Sequence, residues 1–378
     1  TRRQPFSVIV GVDQALAILQ TGTGYFDSGG QWVDTFDQLE VQAVQDGVIL
    51  DYAGDPRQVL PVLKVRGRYR DFAMLETPTL GALTRGTRVA TNVYHTLVAA
   101  RGKEVLFFPA RFDAHEVQAA DGYAYHIAVQ AYNARHEKCT GVHVSTDAQG
   151  AWWGGAGGGT IAHAAIACFL GDTPEAMMAF AAVLPVSIPR IALVDFHNDC
   201  VGTSLAVMER MFRRYMRLMD DGEEEEARRY VLYGVRPDTG SDLRDLRVPP
   251  LGDPRLDNGV NPRLCFALRA AIDSAFETWD LPSRWIDRAR AWCRNVRIIV
   301  TGGFHPERIR AFEAMGVPVD IYGVGSSLFS NCAAHGTNND FTADVVRVKI
   351  AGTWYPMAKF GRQACDNPLL EPVSRLPE

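Results

Sequence analysis

The chain has 378 residues, 47% of them hydrophobic and 22% charged, with a formal net charge of −5. That length suits two domains or one large barrel with attachments. The acidic balance excludes a general nucleic-acid binder, which needs a basic surface to neutralise phosphates. No run of about 18 apolar residues is present, so no transmembrane helix is expected. The opening TRRQPFSVIVG shows no signal-peptide core, and without an initiator Met it is not expected to coincide with the start of the gene. The seven cysteines are scattered and never spaced C-x-x-C. They predict neither a zinc knuckle nor a disulfide framework and suit a reducing compartment, so a cytoplasmic protein is expected.

The first hundred residues mix element types. GVDQALAILQ reads as an amphipathic helix. QLEVQAVQDGVILDY and QVLPVLKVRGRY read as strands, and DFAMLETPTLGALTRGTRVATNVYHTLVAARG as helix, with Pro78 starting or kinking a turn. From Glu104 onward, short apolar runs end in polar or glycine-rich turns: EVLFFPAR, TGVHVSTD, GGGTIAHA, RIALVDFHND, YVLYGVRPDTG, VRIIVTGG and VDIYGVGSS. Helical segments separate most of them. In VGTSLAVMERMFRRYMRLMDDG, Leu205, Met208, Phe212, Tyr215, Leu218 and Met219 form one apolar stripe. Nearly all-apolar strands alternating with helices predict a parallel sheet buried on both faces, and seven runs favour a closed or nearly closed barrel. DDGEEEEARR reads as a solvated acidic face, because its carboxylates are contiguous. PDTGSDLRDLRVPPLGDPRLDNGVNPR reads as a long loop of the functional or mobile kind. The tail reads as a two-stranded return, DVVRVKI and TWYPMAKF.

Active sites of barrels and open α/β sheets lie at the carboxyl ends of the strands. Those ends carry Arg111 and Asp113; Thr160 and His163; Asp195, His197, Asn198 and Asp199; Arg236, Asp238 and Asp242; Gly302 and Gly303; Gly323, Gly325 and Ser326. Cations, carboxylates and glycine turns together suit a substrate with several phosphates and a metal ion. In VTGGFHPERIRAF the glycines precede a helix with Pro306 at its first position, a ready anion site, and YGVGSS offers similar chemistry on the next strand. Each feature has a plainer reading: glycines that merely end strands, an Arg236–Asp238 ion pair inside the barrel, a packed His163.

Taken in order, several stretches resemble motifs of the nicotinate phosphoribosyltransferase family, a type II phosphoribosyltransferase group, and of its shorter archaeal and bacterial branch. They are LPVLKVRGRYRDFAMLETPTLGAL, EVLFFPAR, GGTIAHA, RIALVDF, YGVRPDTGSD, IIVTGG, IYGVGSSL and MAKFGR, covering most of the chain from about residue 45. The resemblance implies an incomplete α/β (TIM-like) barrel beside an α/β sandwich domain built from both chain ends. The expected boundaries are 1–103 and 331–378 for the sandwich and 104–330 for the barrel. It also implies a homodimer and a transfer of the 5-phosphoribosyl group from 5-phosphoribosyl 1-diphosphate (PRPP) to nicotinate, a step of NAD biosynthesis. Carried over by position, Arg111, Arg236 and Asp238 contact PRPP, Gly302, Gly303, Gly323 and Gly325 hold its 5-phosphate, Phe108 lies against the pyridine ring, and Asp195 lines the same pocket. His163 matches a histidine that ATP-coupled members phosphorylate; Mg²⁺ is expected with the diphosphate, and ATP as a coupled substrate. Two departures stand out: Phe112 follows Arg111 where the family has a second Arg, and its opening Thr-Asp-x-Tyr element has no good counterpart, Tyr25 matching poorly by position. The alternatives are another pyridine base (nicotinamide or quinolinate), or a silent relative that binds phosphoribosyl ligands.

Overall fold

The structure is a computed structural model that describes residues 3–158 and 160–375. The chain divides into two compact units: Thr1–His95, Ala114–Cys139 and Leu328–Glu378 form one, Thr96–Asp113 and Thr140–Ser327 the other. The 19-residue helix Gln118–His136 thus lies in the first unit, within a stretch expected to be barrel throughout. Among the described residues, no helix is long and apolar enough to cross a membrane.

The second unit holds a six-stranded sheet. Its spatial order is His143–Val144, Glu104–Phe107, Ile321–Val324, Arg297–Val300, Gly234–Arg236, Ile191–Leu193. Every neighbouring pair is parallel, as the alternation of apolar runs and helices requires. These strands curl into part of an α/β barrel. One of the seven runs does not become a strand: in GGGTIAHA the described residues lie in a loop and the start of the short helix His163–Cys168. Among the described residues the stretch meets the sheet through one parallel bridge, Val144 to Gly157; Gly159 lies outside them. Glycines supply no side chains to pack on a sheet face and cost the most backbone entropy to order. A nearly closed barrel gives way to an incomplete one for that reason.

The concave face is filled by Leu106, Ile191, Ile299 and Ile321, with Phe108 and Tyr233 packed against them. Outside, the helix Cys200–Asp220 buries Val207, Met208, Met211, Phe212, Tyr215 and Leu218. The expected stripe is there, shifted by one residue at its margin, since Leu205 and Met219 are only half-buried. The acidic run forms the short helix Glu224–Ala227, with Glu225 and Glu226 paired to Arg228 and Arg229 on the surface. The long segment after Arg236 is firmly anchored. Buried Asp245 accepts from the Cys200 N–H at 2.9 Å, and buried Asp257 accepts from Leu251 and Gly252.

The first unit draws on both chain ends. Glu371–Pro372 pairs antiparallel with Glu40–Ala43, which pairs with Leu63–Arg66. Phe6–Val8 pairs with Ile49–Asp51, and Arg347–Ile350 with Thr353–Pro356, the two-stranded tail expected from the sequence. The helix Glu76–Ala99 packs here, with Pro78 in its first turn, where a missing N–H costs nothing. Its Thr87 and Thr91 hydroxyls accept from the Val10 and Val8 N–H groups. Gly86 permits that approach, because a Cβ there would fall 2.6 Å from the Val10 carbonyl oxygen.

One carboxylate in this unit is set to titrate. Asp46 accepts from the Val12 N–H at 2.8 Å, capping the helix Val12–Gly22. Burial, aided by the nearby Asp13 charge and opposed by the backbone bonds, pushes its carboxyl up to about 6. Tyr123 donates to Asp13 beside it. A raised carboxyl pKa means that the folded state holds its proton longer than the unfolded chain does. The wild type is therefore expected to lose on the order of 1–2 kcal/mol as pH climbs from about 4 through about 6. Asp46→Asn keeps an acceptor for Val12 and should flatten that slope. Melting curves across this range check it, and identical pH profiles for the two proteins would remove the effect.

Candidate active site

Along each parallel strand, alternate residues point into the barrel. Starting from the buried interior positions, the next residues of the same parity are Phe108 after Leu106, Asp195 after Leu193, Thr301 after Ile299 and Gly323 after Ile321. Arg236 follows Gly234, whose register partner is Ile191. Alternation thus gives the carboxyl rim its side chains.

Arg236 is the hub. Only 8% exposed, it donates from Nε to Thr160 Oγ1 (3.2 Å), from Nη1 to Asp238 Oδ2 (3.2 Å) and Thr301 Oγ1 (3.1 Å), and from Nη2 to the Ile161 carbonyl (3.3 Å). Thr301 in turn donates to Asp238 Oδ1 at 2.6 Å. Burial pulls the guanidinium below its ordinary value, while Asp238 and Asp195 hold it up. His163 Nε2 lies 3.0 and 3.1 Å from the two oxygens of Asp195. Burial raises the Asp195 carboxyl; His163 opposes that shift and the Asp238 charge adds to it. Thr160, His163, Asp195, Arg236 and Asp238 therefore share one electrostatic neighbourhood, although up to 78 positions of sequence separate them.

Aromatic rings border the hub. Phe108 has its ring centroid 6.0 Å from the Arg236 guanidinium carbon. Arg111 lies 5.2 Å from the ring of exposed Phe112 and is close enough to Arg236 to repel it. Among the described residues Arg111 forms no ion pair, whereas Arg236 is paired with Asp238.

The two glycine turns do different work. Gly302 and Gly303 have φ of 94° and 69° and are exposed, just ahead of the helix Pro306–Ala314. A Cβ on Gly302 would sit 3.5 Å from Asp238 Oδ1, so this turn adjoins the hub. Gly323 and Gly325 are needed for space. A Cβ would fall 2.5 Å from Thr301 at Gly323 and 2.6 Å from the Phe112 ring at Gly325. Ser326 is exposed at the start of the one-turn helix Ser326–Phe329 and takes no part in the network. Its neighbour Ser327 instead ties the two turns, donating to the Phe304 carbonyl at 3.0 Å.

Other strand-end residues are structural. His197 meets the Gly171 carbonyl at 3.0 Å, Asn198 (φ 56°) donates to the Arg244 carbonyl, and Asp199 caps the helix Cys200–Asp220 while pairing with Arg247. Asp242 is exposed. Thr301, absent from the residues expected at the site, bridges Arg236 and Asp238. Its signal was a hydroxyl of inward parity directly before the Gly302–Gly303 pair.

No protein-family model matches the chain, and no curated protein matches it in sequence. Solved structures do. Nicotinate-nucleotide pyrophosphorylase from Pyrococcus furiosus superposes with a TM-score of 0.57 at 24% identity, over 95% of this chain and 69% of that one. Human nicotinic acid phosphoribosyltransferase superposes with a TM-score of 0.53 at 15% identity, over 85% of this chain and 65% of that one. The curled parallel sheet, open between its edge strands and accompanied by antiparallel sheets from both chain ends, gives this chain the type II phosphoribosyltransferase fold.

Proposed function

We propose that the chain is a phosphoribosyltransferase that moves the 5-phosphoribosyl group of PRPP to a pyridine base, and that the base is nicotinate. The observation that carries this reading is the Arg236 hub: a buried guanidinium fixed between Thr160, Asp238 and Thr301 at the rim of this fold. In the reaction the C1–O bond to diphosphate breaks, its electrons leaving with the diphosphate. The pyridine nitrogen lone pair forms the new bond to C1. The ribose gains oxocarbenium character on the way, as in glycoside cleavage. Asp238, oriented by Arg236 and Thr301, would accept from ribose hydroxyls, and Arg236 would offset the departing negative charge. Gly302 and Gly303 would bring main-chain N–H groups to the 5-phosphate. Phe108 would pack on the ring.

Mg²⁺ fits this site in a particular way. Among the described residues no cluster of three or more His, Cys, Asp or Glu side chains could hold a metal unaided. The Asp238 charge is near enough to raise the Asp195 carboxyl, and Mg²⁺ is commonly held by one or two carboxylates plus substrate phosphates. Bound there, it would supply charge neutralisation for the diphosphate.

Nicotinate is favoured by charge count. Beside the hub, Arg111 has no carboxylate partner among the described residues, and its one guanidinium would match one substrate carboxylate. Quinolinate carries two carboxylates and nicotinamide none. His163, half-exposed and held by Asp195, is the residue on which ATP coupling would act. The test is turnover of PRPP and Mg²⁺ with each of the three bases, with and without ATP. Nicotinate consumption with diphosphate release is expected, and ATP should raise it in the wild type but not in His163→Ala. Carbon dioxide release from quinolinate, or product from nicotinamide alone, would overturn the base assignment. PRPP binding without product from any base would overturn the enzyme reading.

A further inference from the structure

Arg308 lies outside the hub, in the first turn of the helix Pro306–Ala314. Its Nη1 donates to the Gly302 carbonyl at 2.6 Å and its Nη2 to the Val260 carbonyl at 2.7 Å. Its guanidinium carbon sits 4.2 Å from the Phe304 ring centroid. One planar group therefore fastens two loops: the glycine turn, and the far end of the long segment that leaves Asp238. Gly259 occupies the join. At φ 67°, a Cβ there would lie 3.6 Å from Ser241 Cα and 3.9 Å from Arg308 Nη2, while its N–H donates to Leu243. The stretches that begin and end the long segment thus meet at this side chain, beside the turn that adjoins Asp238.

The charge at this place is unusual. The first turn of a helix disfavours a cation, because the dipole is positive there. Arg308 is also partly buried, and among the described residues no carboxylate pairs with it. An apolar side chain could cover Phe304 equally well. A guanidinium is needed where both carbonyls must be held, and its charge then stands beside the glycine turn.

We propose that Arg308 is a positioning residue of the rim: it locks the Gly302–Gly303 turn to the 237–261 segment and so sets affinity for the phosphate of a phosphoribosyl ligand. The inference rests on the phosphoribosyl reading above. It is tested on the full chain with ribose 5-phosphate as calorimetric probe, together with PRPP kinetics. Arg308→Gln, which keeps a donor and loses the charge and the fork, should weaken ribose 5-phosphate by about tenfold or more and raise the PRPP KM similarly. The kcat should stay within about twofold. Arg308→Lys, which keeps the charge and reaches one carbonyl, should recover part of the loss. Affinity within about twofold of wild type in Arg308→Gln would overturn the proposal. So would a joint fall of kcat and affinity with a lower melting temperature, the mark of a residue that only holds the fold. A wild type that binds no ribose 5-phosphate would instead bring down the phosphoribosyl reading itself.

Discussion

Arg236→Lys is expected to lower kcat/KM for PRPP by about a hundredfold or more, a barrier rise of roughly 2.7 kcal/mol, in a protein that still folds. The guanidinium reaches Thr160, Asp238, Thr301 and the Ile161 carbonyl from three nitrogens of one plane. An ammonium is a point charge with three donors and cannot span that set. It retains the positive charge between Asp238 and Asp195, so the carboxylates are not left uncompensated and the fold should survive. What changes is orientation. Asp238 loses a directional partner, and Thr160 loses the bond that ties its loop to the strand Gly234–Arg236. Steady-state kinetics with PRPP, run beside a thermal melt, decide the matter. A Lys variant with wild-type kcat/KM would take Arg236 out of the working site, and a collapsed melt would make it a structural ion-pair member.

Trp279→Ala should remove about 3–5 kcal/mol of stability, the range for deleting a fully buried aromatic ring. Trp279 is 1% exposed. It stacks on Phe212 at 5.2 Å with planes 27° apart, and meets Trp292 edge-on at 6.2 Å. Phe212 also contacts Trp285 and Trp292, so four rings join the helices Cys200–Asp220 and Ser283–Asn295. The Trp279 carbonyl accepts from Arg213, which adds a polar tie at the same corner. Removing the indole leaves a cavity that its aromatic neighbours cannot close without leaving their rotamers. Denaturant unfolding followed by the remaining tryptophans measures the loss. A decrease under about 1 kcal/mol would show that the cluster repacks freely.

Much of this architecture is legible in the sequence, for identifiable reasons. Strands such as RIIV and IALV are buried on both faces, so composition alone marks them. Their interior residues then fix by parity which rim residues turn inward, and Phe108, Asp195, Arg236 and Thr301 follow that rule. GGGTIAHA looks like a strand end because the same residue types end a loop here. The helix Gln118–His136 escaped notice because its buried face uses small and aromatic residues, Ala124, Tyr125, Ala128, Val129 and Tyr132, amid Gln, Asn and His. Pairings such as Arg236 with Thr160, or Arg308 with Val260, join chain segments that no local pattern connects. They emerge only when the sheet places neighbouring strand ends on one rim.

The missing stave has a consequence for handling this protein. An arc, unlike a complete ring, has two lateral borders, of which one is partly covered by the bridge from Val144 to Gly157. Here those borders are strands of two and three residues, His143–Val144 and Ile191–Leu193. So little edge gives a foreign strand almost nothing to zip along, and concentrated preparations should be spared fibre growth by this route.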